Sequence, residues 1–195
     1  MGVNFGPSVS THLCFRGSTG KEARQGTSST GSDDRPLNDF MNTGDTLNSD
    51  ERGLVVACDS CGRQNRLPYR SLGQTFRCGH CHKDLPAVTR PIHVSQETGF
   101  QSLVGQSPLP VLVDFWAPWC GPCKAVAPEL EKVATAGASR WVVAKVDTEE
   151  LPGLAHYFQI SAIPTLVLFA GGREVTRQSG ALPASAIQQL LAKAA

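Results

Sequence analysis

The chain contains three pairs of cysteines with the spacing C-x-x-C, and this feature limits what it can fold into more than any other. Such a pair has three chemical interpretations: half of a zinc site, a structural disulfide, or two thiols that exchange electrons with other disulfides. The first two pairs lie close together in the sequence and the third is remote, so we do not expect all three to share one chemistry. The pairs are Cys58/Cys61, Cys78/Cys81 and Cys120/Cys123.

The first two pairs have the spacing of a zinc ribbon. In VACDSCGRQNRLPYRSLGQTFRCGHCHK they are sixteen residues apart, a separation at which four thiolates can converge on one tetrahedral ion. We expect each pair to form a tight turn, helped by Gly62 and Gly79, and the intervening segment to return as a hairpin. His80 and His82 are further candidate ligands, but four thiolates complete the shell, so we expect both imidazoles to be exposed. The sequence therefore predicts one Zn²⁺ per chain, with the ligands Cys58, Cys61, Cys78 and Cys81.

Composition divides the 195 residues into three parts. Residues 1–52 are rich in Gly, Ser, Thr, Asn and Asp and have no sustained hydrophobic period, so we expect a disordered tail, with Met41 as a possible true start. Residues 53–88 form the four-cysteine module, which is too small for a core of its own and would take much of its folding energy from the metal. Residues 90–195 form the third part. No run of eighteen apolar residues is present, so we expect no membrane span.

From residue 90 onward the hydrophobic pattern alternates between strands and helices. The predicted order is β-α-β-α-β-α-β-β-α, an α/β fold in which Ser95 caps a first helix that ends near Val104. Strands separated by helices are expected to be parallel neighbours, whereas the turn at Gly171 and Gly172 predicts an antiparallel hairpin at the edge. The predicted strands are RPIHV, PVLVDFW, WVVAKVD, TLVLFA and REVTRQS.

The third cysteine pair lies where the buried strand PVLVDFW gives way to a helix. Free N–H groups and the helix dipole stabilise a thiolate at that point, so we expect Cys120 to be a nucleophile of low pKa. Pro122 suits the first helical turn because its missing N–H would have no partner there. Cys123, one turn further in, is expected to be less exposed and to resolve a mixed disulfide. A structural disulfide across so short a loop would contribute little chain entropy, which favours the redox interpretation.

The motifs of residues 90–195 resemble those of the thioredoxin family: VDFWAPWCGPCK, IPT at 163–165 and SGAL at 179–182. With the four-cysteine module in front, the chain from about residue 53 resembles the zinc-containing bacterial thioredoxins often called thioredoxin two. The resemblance implies the thioredoxin fold, a central mixed sheet flanked by helices, and the reduction of disulfides in oxidised client proteins. It also implies an NADPH-dependent thioredoxin reductase as electron source, and we expect a cytoplasmic monomer without a membrane partner.

The resemblance also assigns roles to individual residues. Asp114 matches the buried carboxylate that assists proton transfer to or from the deeper thiol. Lys145 matches the lysine that pairs with this carboxylate, although a lysine reaching from a strand end to solvent would look the same. Pro164 matches the proline that follows a cis peptide bond and faces the cysteines. The residues that the resemblance places in substrate binding are Trp119, Gly121, Pro122, Ile163, Pro164 and Gly180.

A function of a different class stays open because the four-cysteine module is basic. Its Arg and Lys residues could form a small nucleic-acid face, or they could balance the negative charge of a zinc tetrathiolate. The net charge of the whole chain is only +1, so bulk electrostatics gives no reason to expect nucleic acid. The alternative is a zinc-ribbon binding module, for nucleic acid or protein, that a redox domain regulates. The basic residues are Arg63, Arg66, Arg70, Arg77 and Lys83.

Overall fold

The computed structural model describes residues 46–194. The strands in this part of the chain are β1 (Leu47–Asp50), β2 (Gly53–Ala57), β3 (Gln64–Leu67), β4 (Ile92–Val94), β5 (Val111–Trp116), β6 (Val142–Asp147), β7 (Thr165–Ala170) and β8 (Arg173–Ser179). The α-helices are α1 (Glu97–Gln106), α2 (Gly121–Ala136), α3 (Pro152–Tyr157) and α4 (Ala184–Leu191). Short 3-10 helices cover Tyr69–Ser71 and Ala192–Ala194. From β4 onward the order of strands and α-helices is the predicted one. None of the helices described is long and apolar enough to cross a membrane.

The strands form one mixed sheet in the order β3-β2-β1-β4-β6-β5-β7-β8. Strands β4, β6 and β5 are parallel neighbours, and β7 and β8 form the predicted antiparallel hairpin at the edge. The prediction of parallel neighbours is wrong for β7, which pairs antiparallel with β5. A helical connection shows only that two strands are not joined by a hairpin. It does not decide which strand becomes the neighbour.

Strand β1 lies in the segment that the sequence assigned to a disordered tail, and the prediction is wrong for these residues. Residues Leu47–Asp50 pair antiparallel with β2 and parallel with β4, and the Ser49 hydroxyl donates to the carbonyl of His93 at 2.7 Å. The boundary at residue 52 is therefore too late. The sequence LNSD holds one apolar residue, so its own pattern does not indicate a strand. The rest of the expected tail, and the possible start at Met41, lie outside the described residues.

The sheet separates two apolar clusters. One face packs against α1 and α3, and the other packs against α2 and α4. The first cluster continues without a break from Leu54 and Leu67 of the four-cysteine module to Val113 and Phe115 of β5. The module thus has no separate core, as expected, but it shares the core of residues 90–195. The prediction assigned much of the folding energy of the module to the metal. It left out the contribution of these apolar contacts with residues 90–195.

Helix α1 begins one residue later than predicted. Its N-cap is Gln96 and not Ser95, because the backbone at Gln96 is still extended (φ −143°, ψ 139°). No side chain caps the helix, although Glu97 lies in the first turn as expected. The consequence for the site is small, since α1 packs on the face of the sheet away from α2.

Candidate active site and metal centre

Cys120 and Cys123 are joined by a disulfide at the N-terminus of α2. Strand β5 ends at Trp116, and Cys120 caps the helix by accepting a hydrogen bond from the backbone N–H of Cys123 at 3.1 Å. Pro122 lies in the first turn, as predicted. Both cysteines are 3% exposed, so the expected difference in exposure is not found in this oxidised form. The disulfide holds the two sulfur atoms together, and both side chains are equally buried.

The loop that precedes β7 lies against this disulfide. The carbonyl oxygen of Ile163 is 3.8 Å from the Sγ atom of Cys120, and the peptide bond between Ile163 and Pro164 is cis, as the resemblance implied. The N–H of Gly180, at φ 96°, donates to the carbonyl of Pro164 at 2.8 Å. The structure thereby places Ile163 beside Cys120 and joins Gly180 to the adjacent Pro164. Gly121 is exposed next to the disulfide, as is Pro122.

Trp119 is the large exposed side chain next to Cys120, with 68% of its surface exposed. Its indole N–H donates to the Oε1 atom of Glu149 at 2.9 Å. Glu149 is held in turn, because its backbone N–H donates to the carboxylate of Asp147 at 2.8 Å. The sequence reasoning missed Glu149, since an acid in the turn after a strand belongs to no motif. The hydrogen bond restricts the orientation of a side chain that is placed to touch partners.

Asp114 is a buried acid on β5, 1% exposed. Its Oδ1 atom has no hydrogen-bond partner among the described residues. Burial raises the pKa of this carboxyl to about 7, and the charge of Lys145 opposes the rise. A carboxyl with this pKa changes its protonation near neutral pH, so it can accept or donate a proton under those conditions.

Lys145 is the register partner of Asp114 in the parallel pair of β5 and β6. Its ammonium nevertheless lies over the indole ring of Trp116, 4.3 Å from the ring centroid. The lysine therefore acts on the carboxyl of Asp114 through its charge while it packs on an aromatic neighbour. The Nε1 atom of Trp116 is also buried and without a hydrogen-bond partner in the part of the chain that is described.

A cavity of about 330 Å³ lies against Cys123. One side of the cavity is α2, and another is formed by Trp116 and Lys145 of the sheet. Thr46 and Pro91, which precede β1 and β4, form part of the remaining wall. The sequence contained no signal for Thr46, which falls in the predicted tail. The lining residues are Thr46, Pro91, Trp116, Cys123, Lys124, Ala127, Glu131 and Lys145.

The two cysteine pairs of the four-cysteine module form turns of the same construction. The N–H of Cys58 donates to the carbonyl of Arg63 at 2.9 Å, and the N–H of Cys78 donates to that of Lys83 at 2.8 Å. Each pair lies at the tip of its own hairpin, so the hairpin predicted between the two pairs is wrong. Strands β2 and β3 flank the first pair, and a bridge between Arg77 and Asp84 flanks the second.

The residue four positions after the first cysteine closes each turn. Gly62 donates its N–H to the carbonyl of Cys58 at 2.7 Å, and His82 donates to that of Cys78 at 3.0 Å. Both residues have a left-handed backbone, at φ 70° and φ 59° respectively. Gly62 therefore has the predicted role. The prediction for Gly79 is wrong, because His82 and not Gly79 takes the equivalent conformation.

The four sulfur atoms of this module meet in one place. All four Sγ atoms lie within 4.8 Å of one another, with 3.5 Å between Cys58 and Cys81 and 3.7 Å between Cys61 and Cys78. Zn–S bonds of about 2.3 Å in a tetrahedron place the sulfur atoms about 3.8 Å apart, so this cluster fits the ion.

Hydrogen bonds from the backbone of Cys81 and of His80 lower the pKa of Cys78 to about 6. The imidazoles of His80 and His82 are exposed, as expected.

Comparison with known proteins decides the family. The model of the family described as Thioredoxin matches residues 90–193. The chain belongs to the thioredoxin family. It is a thiol–disulfide oxidoreductase, and its fold is the thioredoxin fold.

The most informative similarities are to other thioredoxins. Thioredoxin C-3 of Corynebacterium nephridii is 43% identical over 139 residues, which are 71% of this chain and 93% of that protein. A thioredoxin of Mycobacterium tuberculosis is 52% identical over 85 residues, 44% of this chain and 73% of that protein. A mutant thioredoxin from Halobacterium salinarum has a TM-score of 0.52 at 32% identity and covers 56% of this chain and 94% of its own. The first match is longer than residues 90–195, so it extends into the four-cysteine module.

In this thioredoxin the basic residues of the four-cysteine module are partly neutralised. Arg66 forms an ion pair with Asp50, and Arg77 forms one with Asp84 at 3.5 Å. Two of the five basic side chains are thus used within the protein, which weakens the argument for a nucleic-acid face.

Proposed function

We propose that this thioredoxin is a protein-disulfide reductase that uses the dithiol of Cys120 and Cys123, and that its four-cysteine module holds one Zn²⁺. The observation that carries the proposal is the disulfide at the N-terminus of α2, 3.8 Å from the carbonyl of Ile163 in the loop that holds Pro164. A sulfur atom at this position gains from the free N–H groups of the helix as it becomes a thiolate.

The reduction proceeds in two exchanges of sulfur partners. The thiolate of Cys120 attacks one sulfur of the client disulfide, the client S–S bond breaks, and the other client sulfur leaves as a thiolate. Cys123 then loses its proton to the carboxylate of Asp114 and attacks the sulfur of Cys120. The second client sulfur leaves, the bond between Cys120 and Cys123 forms, and two electrons have passed to the client. Lys145 favours the ionised form of Asp114 and so keeps this acceptor available near neutral pH.

The client binds along the surface that surrounds the disulfide. Backbone groups beside Pro164 pair with an extended segment of the client, and Trp119 packs on it. Gly121, Pro122, Ile163 and Gly180 place no charged side chain beside the disulfide, so an uncharged segment of the client can lie against it. We assign the return of electrons to an NADPH-dependent thioredoxin reductase, since the sequence contains no dinucleotide-binding fingerprint. A reducing cytoplasm suits this chemistry, and we assign the monomer as the working form.

Zn²⁺ is the metal that the four thiolates of the module suit best, by donor type and by the spacing of their Sγ atoms. Bound there, the ion would link the two cysteine turns and add to the stability of the module. We assign it no part in the exchange of electrons, because neither Cys120 nor Cys123 is among its four ligands.

Two measurements on the purified chain test the proposal. We expect insulin to be reduced in the presence of dithiothreitol, and also with NADPH and a thioredoxin reductase, and we expect elemental analysis to find one zinc per chain. The double substitution Cys58→Ser with Cys61→Ser should abolish zinc binding. Failure to reduce insulin, together with tight binding of nucleic acid, would instead support the regulated binding module. A zinc content that survives the double substitution would show that the ligand set is wrong.

A further inference from the structure

The cavity beside Cys123 bears on how protons reach the interior of the site. Asp114 is 1% exposed and its Oδ1 atom lacks a hydrogen-bond partner among the described residues, so it has no direct contact with solvent through that atom. A group that gains and loses a proton in every cycle must exchange it with water. A cavity of about 330 Å³ has room for several water molecules.

The position of Asp114 on the sheet connects it to this cavity. Side chains two residues apart on a strand point to the same face, so Asp114 lies on the same face of β5 as Trp116, which lines the cavity. Lys145, the register partner of Asp114, lines it as well. Cys123 of α2 is part of the same lining. The cavity therefore contacts the deeper thiol directly and adjoins the neighbours of the acid on two strands.

We propose that Thr46 is a positioning residue for the reductase, because it walls this cavity and limits the water that serves Asp114 and Cys123. The inference rests on the proposed function, in which Asp114 accepts the proton of Cys123. Thr46 lies outside the family match at residues 90–193, so a chain limited to the matched residues would lack this wall. The segment in front of the four-cysteine module thereby contributes to the catalytic site of the thioredoxin domain.

The geometry holds Thr46 in place through the sheet. Thr46 directly precedes β1, and β1 is fixed between β2 on one side and β4 on the other. Strand β2 leads into the first cysteine turn at Cys58. Pro91, which also lines the cavity, is buried, and its carbonyl accepts a hydrogen bond from the backbone N–H of Leu47 at 2.9 Å. Thr46 is therefore a fixed part of the wall.

A series of substitutions at Thr46 in the full chain tests the proposal. We measure the rate at which Cys123 resolves a preformed mixed disulfide, as a function of pH, and separately the rate of attack by Cys120. Thr46→Phe should fill the cavity, slow resolution about tenfold, and raise the pH midpoint, since Asp114 loses nearby water. Thr46→Ala should enlarge the cavity and lower the midpoint. Thr46→Ser should behave like the natural chain, and the attack by Cys120 should be unchanged throughout.

Two controls make the result decisive. Glu51→Phe places the same ring in the exposed turn after β1, which does not line the cavity, and should leave the pH profile of resolution unchanged. Opposite shifts for Phe and Ala at residue 46 are not expected from a merely structural role. If all Thr46 variants share one midpoint while Asp114→Asn abolishes it, the inference about Thr46 is wrong and the proposed function stands. If Asp114→Asn leaves the midpoint in place, the role of Asp114 fails and the inference fails with it.

Discussion

Asp114 and Lys145 are register partners in the parallel strands β5 and β6, yet the ammonium of Lys145 packs over the ring of Trp116. The carboxyl of Asp114 therefore feels a nearby positive charge while its Oδ1 atom stays without a hydrogen-bond partner among the described residues. Burial is the larger of the two effects on its pKa, which rises to about 7. This balance makes Asp114 costly to ionise and available to receive a proton.

Replacement of Asp114 by Asn should stabilise the fold, and the gain should depend on pH. The pKa of Asp114 is about 7 in the folded chain and about 4 when unfolded, so between these values the folded state binds more protons. The free energy of unfolding of the natural chain should thus fall as the pH rises from 4 to 7. The gain from Asp114→Asn should be near zero at pH 4 and reach at most about 4 kcal/mol at pH 8. Urea denaturation at several pH values checks this, and a gain of equal size at pH 4 and pH 8 would contradict it.

The two active-site cysteines should differ when each is replaced by serine. Cys123→Ser should accumulate mixed disulfides with client proteins, because Cys120 attacks and no thiol resolves the product. Cys120→Ser should form none and should lose all reductase activity. Non-reducing gels and mass spectrometry of the trapped species provide the measurement. Trapping by Cys120→Ser would reverse the assignment of attacking and resolving thiols.

Removal of the proposed Zn²⁺ should destabilise the whole described unit, because the four-cysteine module shares its apolar cluster with β5. We expect calorimetry after chelation to show one transition at a lower temperature, with partial reductase activity below it. Two separate transitions, one of them at the temperature of the untreated protein, would show that the module unfolds independently.

A substitution inside the module tests the shared core without touching a cysteine. Leu54 is completely buried, so Leu54→Ala should lower the free energy of unfolding of the single transition by about 2 to 5 kcal/mol. Its neighbour Val55 points the other way and is only half-buried, so Val55→Ala should cost less. Equal decreases in the free energy of unfolding for the two variants would argue against the continuous core, because they would show that the burial of Leu54 in it adds no stability.

The hydrogen bond between Trp119 and Glu149 should affect client binding more than chemistry. Glu149→Ala removes the acceptor that orients the indole, and a net loss of about 1 kcal/mol corresponds to a KM about fivefold higher for a protein client. We expect kcat to change little. Glu150→Ala removes the adjacent carboxylate, which lies 3.3 Å from His93, and serves as the matched control. An unchanged KM for Glu149→Ala would show that the orientation of Trp119 does not limit client binding.

The sequence by itself determined the features that neighbouring residues encode. The apolar run of β5, the start of α2 at the cysteine pair and the spacing of the four other cysteines are local patterns. Each of these patterns could be recognised in the sequence because the residues that create it lie within a few positions of one another. The same holds for Asp114, whose burial follows from its place in a strand with apolar residues on both sides.

Only the tertiary structure decided the features that depend on distant partners. The residues LNSD become β1 because β2 and β4 offer free edges, and Thr46 reaches the cavity beside Cys123 because β1 holds it there. The ammonium of Lys145 lies on Trp116 because folding places that ring within reach. Ladder pairing and burial are set by contacts between residues far apart in the chain. A local pattern therefore could not reveal that the four-cysteine module and the thioredoxin domain share one sheet and one core.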